Sequence, residues 1–242
     1  MDITAARAIV TGGASGLGAA AARGLIDAGA LVTIFDQDPR GASFAADMGA
    51  YFAQVDVTNE GSVSKGLENA VDAMGGLNTA INCAGIATTE KTLGRDGPHT
   101  QASFKRTIDI NLNGSFNIAR LAAARMTDGG VIINTASIAA FDGQKGQAAY
   151  AASKAGITGL SLPMARDLAR NGIRVMAIAP GIFRTPMLEG LGQEVMDTLA
   201  ADVTYPQRLG DPAEFAALAR FIVECDYLNG TTIRLDGALR MP

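Results

Sequence analysis

The chain has 242 residues, 48% hydrophobic and 18% charged, which gives enough apolar mass for a substantial core and excludes disorder. A formal net charge of −4 argues against nucleic acid as a partner, because polyanion binding needs a basic face. The longest charge-free run, Ala73–Thr89, is broken by Gly75, Gly76, Asn78, Asn82 and Gly85, so a membrane span of about 20 apolar residues has no place to form.

Met1–Thr4 runs directly into a strand-like segment, so no signal or transit peptide is expected and a reducing cytoplasm is the expected compartment. Cys83 and Cys225 provide neither a disulfide framework nor a metal cluster. The single histidine, His99, rules out a zinc site built on two imidazoles, so no metal is expected.

The first predicted strand, Arg7–Thr11, is followed by Thr11-Gly12-Gly13-Ala14-Ser15-Gly16-Leu17-Gly18 and then by a predicted helix, Leu17–Ala28. Glycines between a strand and a helix permit a tight turn and let backbone N–H groups approach a pyrophosphate at the positive end of the helix. Gly12, Ser15, Gly16, Leu17 and Gly18 are therefore candidate dinucleotide contacts. The second strand, Leu31–Asp36, ends in an acid about 20 residues past that turn, where a carboxylate binds adenosine ribose hydroxyls and repels a 2′-phosphate. Asp36, followed by Gln37, favours NAD over NADP; the structural alternative is a turn cap.

The third strand, Tyr51–Val57, places Asp56 and Val57 as candidates for the adenine edge. After a predicted helix, Asn59–Met74, the fourth strand, Thr79–Ala84, delivers Cys83, Ala84 and Gly85 as further cofactor lining. His99, after Gly97-Pro98, reads as a loop residue, with a place near the substrate mouth as the alternative. Asn111 lies in a predicted helix, Phe104–Arg125, and is a candidate to fix a proton-carrying water; a purely helix-bending hydrogen bond is the alternative.

The fifth strand, Val131–Thr135, leads to Ser137, and a helix predicted over Gln147–Arg170 holds Tyr150 and Lys154 one turn apart on one face. To oxidise an alcohol, some group must accept the hydroxyl proton. Free tyrosine has a pKa of about 10, so an ionised phenol costs about 4 kcal/mol at pH 7. A lysine ammonium and a positive nicotinamide ring both favour the phenolate. Tyr150 is the expected general base, Lys154 its tuner and a ribose donor, and Ser137 a donor to the substrate oxygen. Gln147 is a further candidate for substrate contact. Pro163 predicts a kinked but continuous helix, with Gly159 four residues earlier easing the crowding.

Two more strands, Arg174–Ala179 and Thr232–Asp236, complete a set that is apolar nearly throughout, as strands covered on both faces are. Alternation with helices predicts an α/β fold: one Rossmann-type doubly wound parallel sheet of about seven strands, in a single domain over 1–242. Met187, Leu188, Leu191 and Met196 are candidates for an apolar lid around 181–199, with plain helix packing as the alternative.

The run Thr11–Gly18, Asn82–Gly85, Asn111, Ser137, Tyr150, Lys154, and Pro180-Gly181 with Thr185 together resemble the short-chain dehydrogenase/reductase family along the whole chain. Within it, Val131–Lys154 (VIINTASIAAFDGQKGQAAYAASK), Leu162–Leu168, Gly172–Gly181, Arg208–Glu214 and Leu228–Met241 resemble the group acting on 3-hydroxyacyl-CoA thioesters. That resemblance implies an NAD-dependent alcohol–ketone oxidoreductase whose small-molecule substrate is an acyl-CoA, and a homotetramer. It adds Pro180, Gly181, Phe183 and Thr185 to the expected cofactor contacts. The chain departs from the family in a short connection, Thr127-Asp128-Gly129-Gly130, where a longer stretch is usual and would bear on the substrate environment. Alternative readings are the same chemistry on a steroid, an aryl alcohol or an acyl-carrier-protein thioester. A non-catalytic dinucleotide-sensing scaffold is a further one, and would be expected to lose Tyr150 or Lys154.

Overall fold

The structure, a computed structural model, describes residues 1–190 and 192–241. Leu191 and the side chain of Met187, two of the four expected lid groups, lie outside the described residues.

Strand β1 (Arg7–Thr11) pairs in parallel with β2 (Leu31–Asp36) on one side and β4 (Thr79–Asn82) on the other. With β3 (Tyr51–Gln54), β7 (Gly130–Thr135), β8 (Ile173–Pro180) and β9 (Thr232–Leu235), they form a parallel sheet of seven strands among the described residues. The order is β3-β2-β1-β4-β7-β8-β9. The chain leaves β1 first toward β2 and β3 and later toward β4, so a crevice opens at the carboxyl ends of β1 and β4.

Apolar residues on both faces explain the sheet: Val10 and Ile34 pack on one side with helices α1 (Gly16–Asp27) and α9 (Pro212–Glu224), and Ile9, Ala80 and Ile132 on the other. That second face is covered by α3 (Glu60–Met74), α5 (Gly114–Ala123) and α6 (Ala148–Leu168). A short helix, α2 (Gly41–Met48), follows β2. The doubly wound α/β architecture matches the expectation from sequence.

Local departures have physical causes. The expected helix Phe104–Arg125 is instead α4 (Gln101–Ile108), a π-helical turn (Asp109–Asn113) and α5. An antiparallel ribbon of β5 (Leu93–Gly94) and β6 (Gly97–Pro98) precedes α4; strands of two residues carry no periodicity to read. Helix α6 runs unbroken through Pro163. A Cβ built at Gly159 would meet nothing within 4 Å, so the missing side chain there is not what admits the proline.

The short connection at Gly129-Gly130 closes tightly: a Cβ on Gly130 would sit 2.2 Å from the Asn78 carbonyl oxygen, and its N–H donates to the Gly172 carbonyl at 3.1 Å. This turn feeds the amino end of β7, whereas the crevice lies beyond the carboxyl end. The departure from the family's length therefore falls at the amino end of a central strand, opposite the crevice.

Candidate active site

A cavity of about 650 Å³ fills the crevice. Its lining brings together Gly12, Ser15, Gly16, Leu17, Gly18, Asp36, Asp56, Val57, Cys83, Ala84, Gly85, Ser137, Tyr150, Lys154, Pro180, Gly181 and Thr185. Residues from the ends of β1, β2, β4, β7 and β8 thus converge on one space.

At one end sits the glycine turn. Gly12 has φ +61°, and a Cβ there would lie 3.0 Å from the Ala84 backbone nitrogen; a Cβ on Gly18 would lie 2.3 Å from the Gly12 carbonyl oxygen. Ser15 is extended and makes no side-chain capping bond, so the first N–H groups of α1 keep their hydrogen-bonding capacity. The Asp36 carboxylate is held against this turn, its two oxygens accepting from the Ala14 N–H at 3.2 Å and the Asp38 N–H at 3.1 Å. A backbone cradle, an uncapped helix start and a pinned acid are the donor and acceptor set that a dinucleotide requires.

At the other end, Ser137 opens a single 3₁₀ turn (Ile138–Ala140) and its Oγ accepts from the Ala139 N–H at 3.1 Å. Tyr150 and Lys154 project from the first turns of α6, with Lys154 Nζ 5.8 Å from the phenol ring centroid. The ammonium donates to the Thr135 carbonyl at 2.7 Å. Burial pushes the Tyr150 phenol above its ordinary value, and the Ser137 hydroxyl pulls it down by less. The expected acidification of Tyr150 by Lys154 is therefore corrected for the protein alone. The ammonium is aimed at a carbonyl, and burial lowers its own pKa to about 8, so its pull does not govern the phenol.

That depressed lysine has a consequence for stability. Between about pH 8 and the ordinary 10.5, the unfolded chain holds a proton on Lys154 that the folded chain has released. The Lys154 contribution to the stability of the dinucleotide-free protein is thus expected to rise with pH across that window, relieving a burial cost of about 3 kcal/mol that is fully present below it. The Cys83 thiol, held up to about 11 from an ordinary 9.0, contributes in the opposite direction above about pH 9 in wild type and variant alike. Urea unfolding of wild type and Lys154→Met over this range checks it: equal slopes for the two would contradict the assignment.

Asn111 sits in the π-helical turn, fully buried. Its Oδ1 accepts from the Ile86 N–H at 2.8 Å, and its Nδ2 donates to the Ile86 carbonyl at 2.9 Å and to Ser153 Oγ at 3.1 Å. Ser153 in turn donates to the Tyr150 carbonyl at 2.7 Å. The side chain thus joins the Ile86 wall of the cavity to the helix that bears Tyr150, a long-range tie rather than a hydrogen bond that bends its own helix. Cys83 accepts from Thr135 Oγ1 at 3.4 Å, and burial pushes its thiol up to about 11, so it is a neutral packing group.

Two expected contacts fall elsewhere. Phe183 is 7% exposed and packs into the core, its ring 2.8 Å from where a Gly210 Cβ would sit. Gln147 caps the segment before α6, accepting from the Gln144 N–H at 3.0 Å, and does not line the cavity. Both lie within three residues of lining positions, but backbone direction turns their side chains away. Met196 is buried in α8 (Gln193–Ala201), consistent with helix packing, whereas Thr185 and Pro186 do reach the cavity. His99 is a loop residue beside Thr100 and Phe104, outside the cavity.

Sequence reasoning missed Ile86, Ala87, Ile110 and Arg106 as lining residues. Arg106 and Ile110 stand four residues apart, a spacing that marks one helical face and is the signal that was available.

The family model described as short chain dehydrogenase matches residues 6–196. The chain belongs to the short chain dehydrogenase family. Among other members, proteins named 3-hydroxyacyl-CoA dehydrogenase type-2 from Homo sapiens and Drosophila melanogaster are each 50% identical to this short chain dehydrogenase. The alignments cover 97% and 96% of this chain and 95% and 96% of the relatives. The crystal structure of 3-hydroxyacyl-CoA dehydrogenase type-2 from Mycobacterium avium has a TM-score of 0.92 and 43% identity, covering 97% of this chain and 96% of that one. The family is one of oxidoreductases, so this member is an enzyme. No helix among the described residues is long and apolar enough to cross a membrane.

Proposed function

We propose that this enzyme is an NAD-dependent dehydrogenase that interconverts the 3-hydroxyl of an acyl-CoA thioester and the corresponding ketone. One observation carries the proposal: a continuous cavity runs from the glycine turn and Asp36 to Ser137, Tyr150 and Lys154. The names of the relatives from Homo sapiens, Drosophila melanogaster and Mycobacterium avium support the substrate class.

Ser15, Leu17 and the N–H groups at the start of α1 would hold the pyrophosphate, Asp36 the adenosine ribose, and Asp56 with Val57 the adenine edge. Bound there, NAD supplies the hydride acceptor. Ser137 Oγ donates to the substrate oxygen and orients it toward the phenol. Tyr150 Oη exchanges the substrate's hydroxyl proton. Lys154 serves as a ribose donor whose position is fixed by the Thr135 carbonyl, and the positive charge that favours the phenolate is completed only in the loaded site. Asn111 holds the Ile86 wall against α6, and its Oδ1 keeps one lone pair for a water on the proton's exit path.

The chain works as one domain, with 181–199 as a lid over the substrate; Thr185 and Pro186 in the cavity lining support this. Homotetramer formation is supported by large apolar side chains left exposed on Phe116, Leu162 and Phe221, and a cytoplasmic site of action by free thiols at Cys83 and Cys225.

Assay of reduced nicotinamide formation with 3-hydroxybutyryl-CoA, a steroid alcohol and simple aryl alcohols tests the substrate class. Highest kcat/KM on the thioester is expected; preference for another alcohol would overturn that part. For the cofactor, Asp36→Ala removes the charge that repels a 2′-phosphate, so the NAD:NADP ratio of kcat/KM is expected to fall by about tenfold or more. An unchanged ratio would remove the role of Asp36.

A further inference from the structure

Arg234, on β9, has no part in the chemistry above, yet its contacts end on both walls of the catalytic end. Its Nη2 donates to Asp142 Oδ2 at 2.6 Å and to the Leu239 carbonyl at 3.0 Å, and its Nε donates to Asp236 Oδ2 at 2.7 Å. The guanidinium also stacks over the Phe141 ring at 5.2 Å. Asp142 donates its N–H to the Ile138 carbonyl at 2.9 Å, which closes the turn that begins at Ser137. Asp236 abuts Gly181: a Cβ on that glycine would lie 2.9 Å from the Asp236 Cα, and the Gly181 N–H donates to the Leu235 carbonyl at 2.9 Å. A chain of direct contacts thus runs Ser137 turn, Asp142, Arg234, Asp236, Gly181.

We propose that Arg234 is a positioning residue of the active site, tying the Ser137 turn to the Gly181 wall through Asp142 and Asp236. This rests on the proposed role of Ser137 and Tyr150 in alcohol oxidation. The two acids are largely buried, with Asp142 18% and Asp236 8% exposed. Apolar side chains of similar volume often stabilise such a place better than an ion pair does, so stability alone gives little reason for a charged fork here. What the fork supplies is geometry: a planar group with several donors fixes two carboxylates and a carbonyl in one arrangement. Ile138 packs with Leu239 and Val203, so the apolar contacts beneath the turn reach the same C-terminal segment.

The charged groups around Arg234 are Asp142, Asp236 and Arg240, the last donating to Asp236 Oδ2 at 3.2 Å. The groups facing the Tyr150 phenol are Ser137 from the turn and Lys154 from its own helix, with Cys83 beside that lysine. Displacing the turn removes the downward pull of the Ser137 hydroxyl on the phenol.

Two variants test this without deleting the side chain: Arg234→Lys keeps the charge and loses the fork, and Asp142→Asn keeps the size and loses the charge. Ultraviolet difference titration of the Tyr150 phenol, with Tyr150→Phe as blank, is expected to move its midpoint upward in both, because the Ser137 hydroxyl no longer pulls it down. With 3-hydroxybutyryl-CoA, kcat per folded molecule is expected to fall roughly tenfold to a hundredfold, as for a misplaced catalytic group, while KM for NAD stays within about twofold. Asp142→Glu, which keeps the carboxylate, is expected to restore both. An unmoved midpoint in the two variants overturns the proposal whatever the turnover, and so does a loss that Asp142→Glu fails to restore. A moved midpoint in an enzyme whose wild type turns over no thioester keeps the positioning role and sinks the substrate class instead.

Discussion

Replacement of Tyr150 by phenylalanine is expected to lower kcat by between about a hundredfold and ten-thousandfold while leaving the affinity for NADH within about twofold. The phenylalanine ring fills the same space beside Lys154 and removes one oxygen. What is lost is the atom that exchanges the proton. No nearby group takes over the exchange: Ser137 is a far weaker acid, Cys83 is a neutral thiol pushed up to about 11, and the Lys154 amine, although burial brings it to about 8, is directed at the Thr135 carbonyl. Steady-state kinetics together with NADH fluorescence titration read the two quantities separately. Turnover retained within tenfold would remove Tyr150 from the proton path.

The second large effect belongs to the opposite end of the cavity. Gly18→Ala would place a Cβ 2.3 Å from the Gly12 carbonyl oxygen and 2.8 Å from its carbon, both backbone atoms that cannot swing aside. The turn must open, at a cost of about 1–3 kcal/mol typical of forced overpacking, which corresponds to roughly a tenfold to hundredfold loss of dinucleotide affinity if the turn carries it. Gly159→Ala supplies the contrast. The added methyl meets nothing within 4 Å on α6, and alanine is the better helix former, so stability is expected to rise by up to about 1 kcal/mol with affinity unchanged. Calorimetric titration with NAD and thermal unfolding check both. Equal affinity in Gly18→Ala and wild type would mean that the glycine turn does not bear on the dinucleotide.

These two ends were legible in the sequence because each is specified locally. Arg7–Thr11 and Leu31–Asp36 appear with the expected bounds, since strands apolar on both faces leave an uninterrupted pattern. Tyr150 and Lys154 share a face because they stand four residues apart on one helix. The expected Tyr51–Val57 strand stops at Gln54 as an element, although the Val55 N–H still donates to the Asp36 carbonyl at 2.9 Å, so only its end frays.

What was not legible depends on backbone direction and on contacts distant in sequence. Phe183 and Gln147 lie near lining residues, yet one packs into the core against Gly210 and the other bonds Gln144. Asn111 matches a motif, but its partners, Ile86 and Ser153, are 25 and 42 residues away. The π-helical turn around it leaves no periodic mark, because five residues are too few to shift an apolar pattern. Arg234 and Asp142 are 92 residues apart, and nothing in either segment announces the other. The acidity of Tyr150 is the sharpest case: spacing alone put an ammonium beside a phenol, but the Thr135 carbonyl decides where that ammonium points.

The most direct measurement is a single turnover of NAD with 3-hydroxybutyryl-CoA deuterated at the carbinol carbon, the label followed by mass spectrometry. Deuterium is expected in the reduced nicotinamide, one for each ketone formed, with the transfer nearly absent in Tyr150→Phe. Ketone formed without label in the nicotinamide, or transfer at the wild-type rate in Tyr150→Phe, would contradict a site in which that phenol exchanges the proton as hydride leaves.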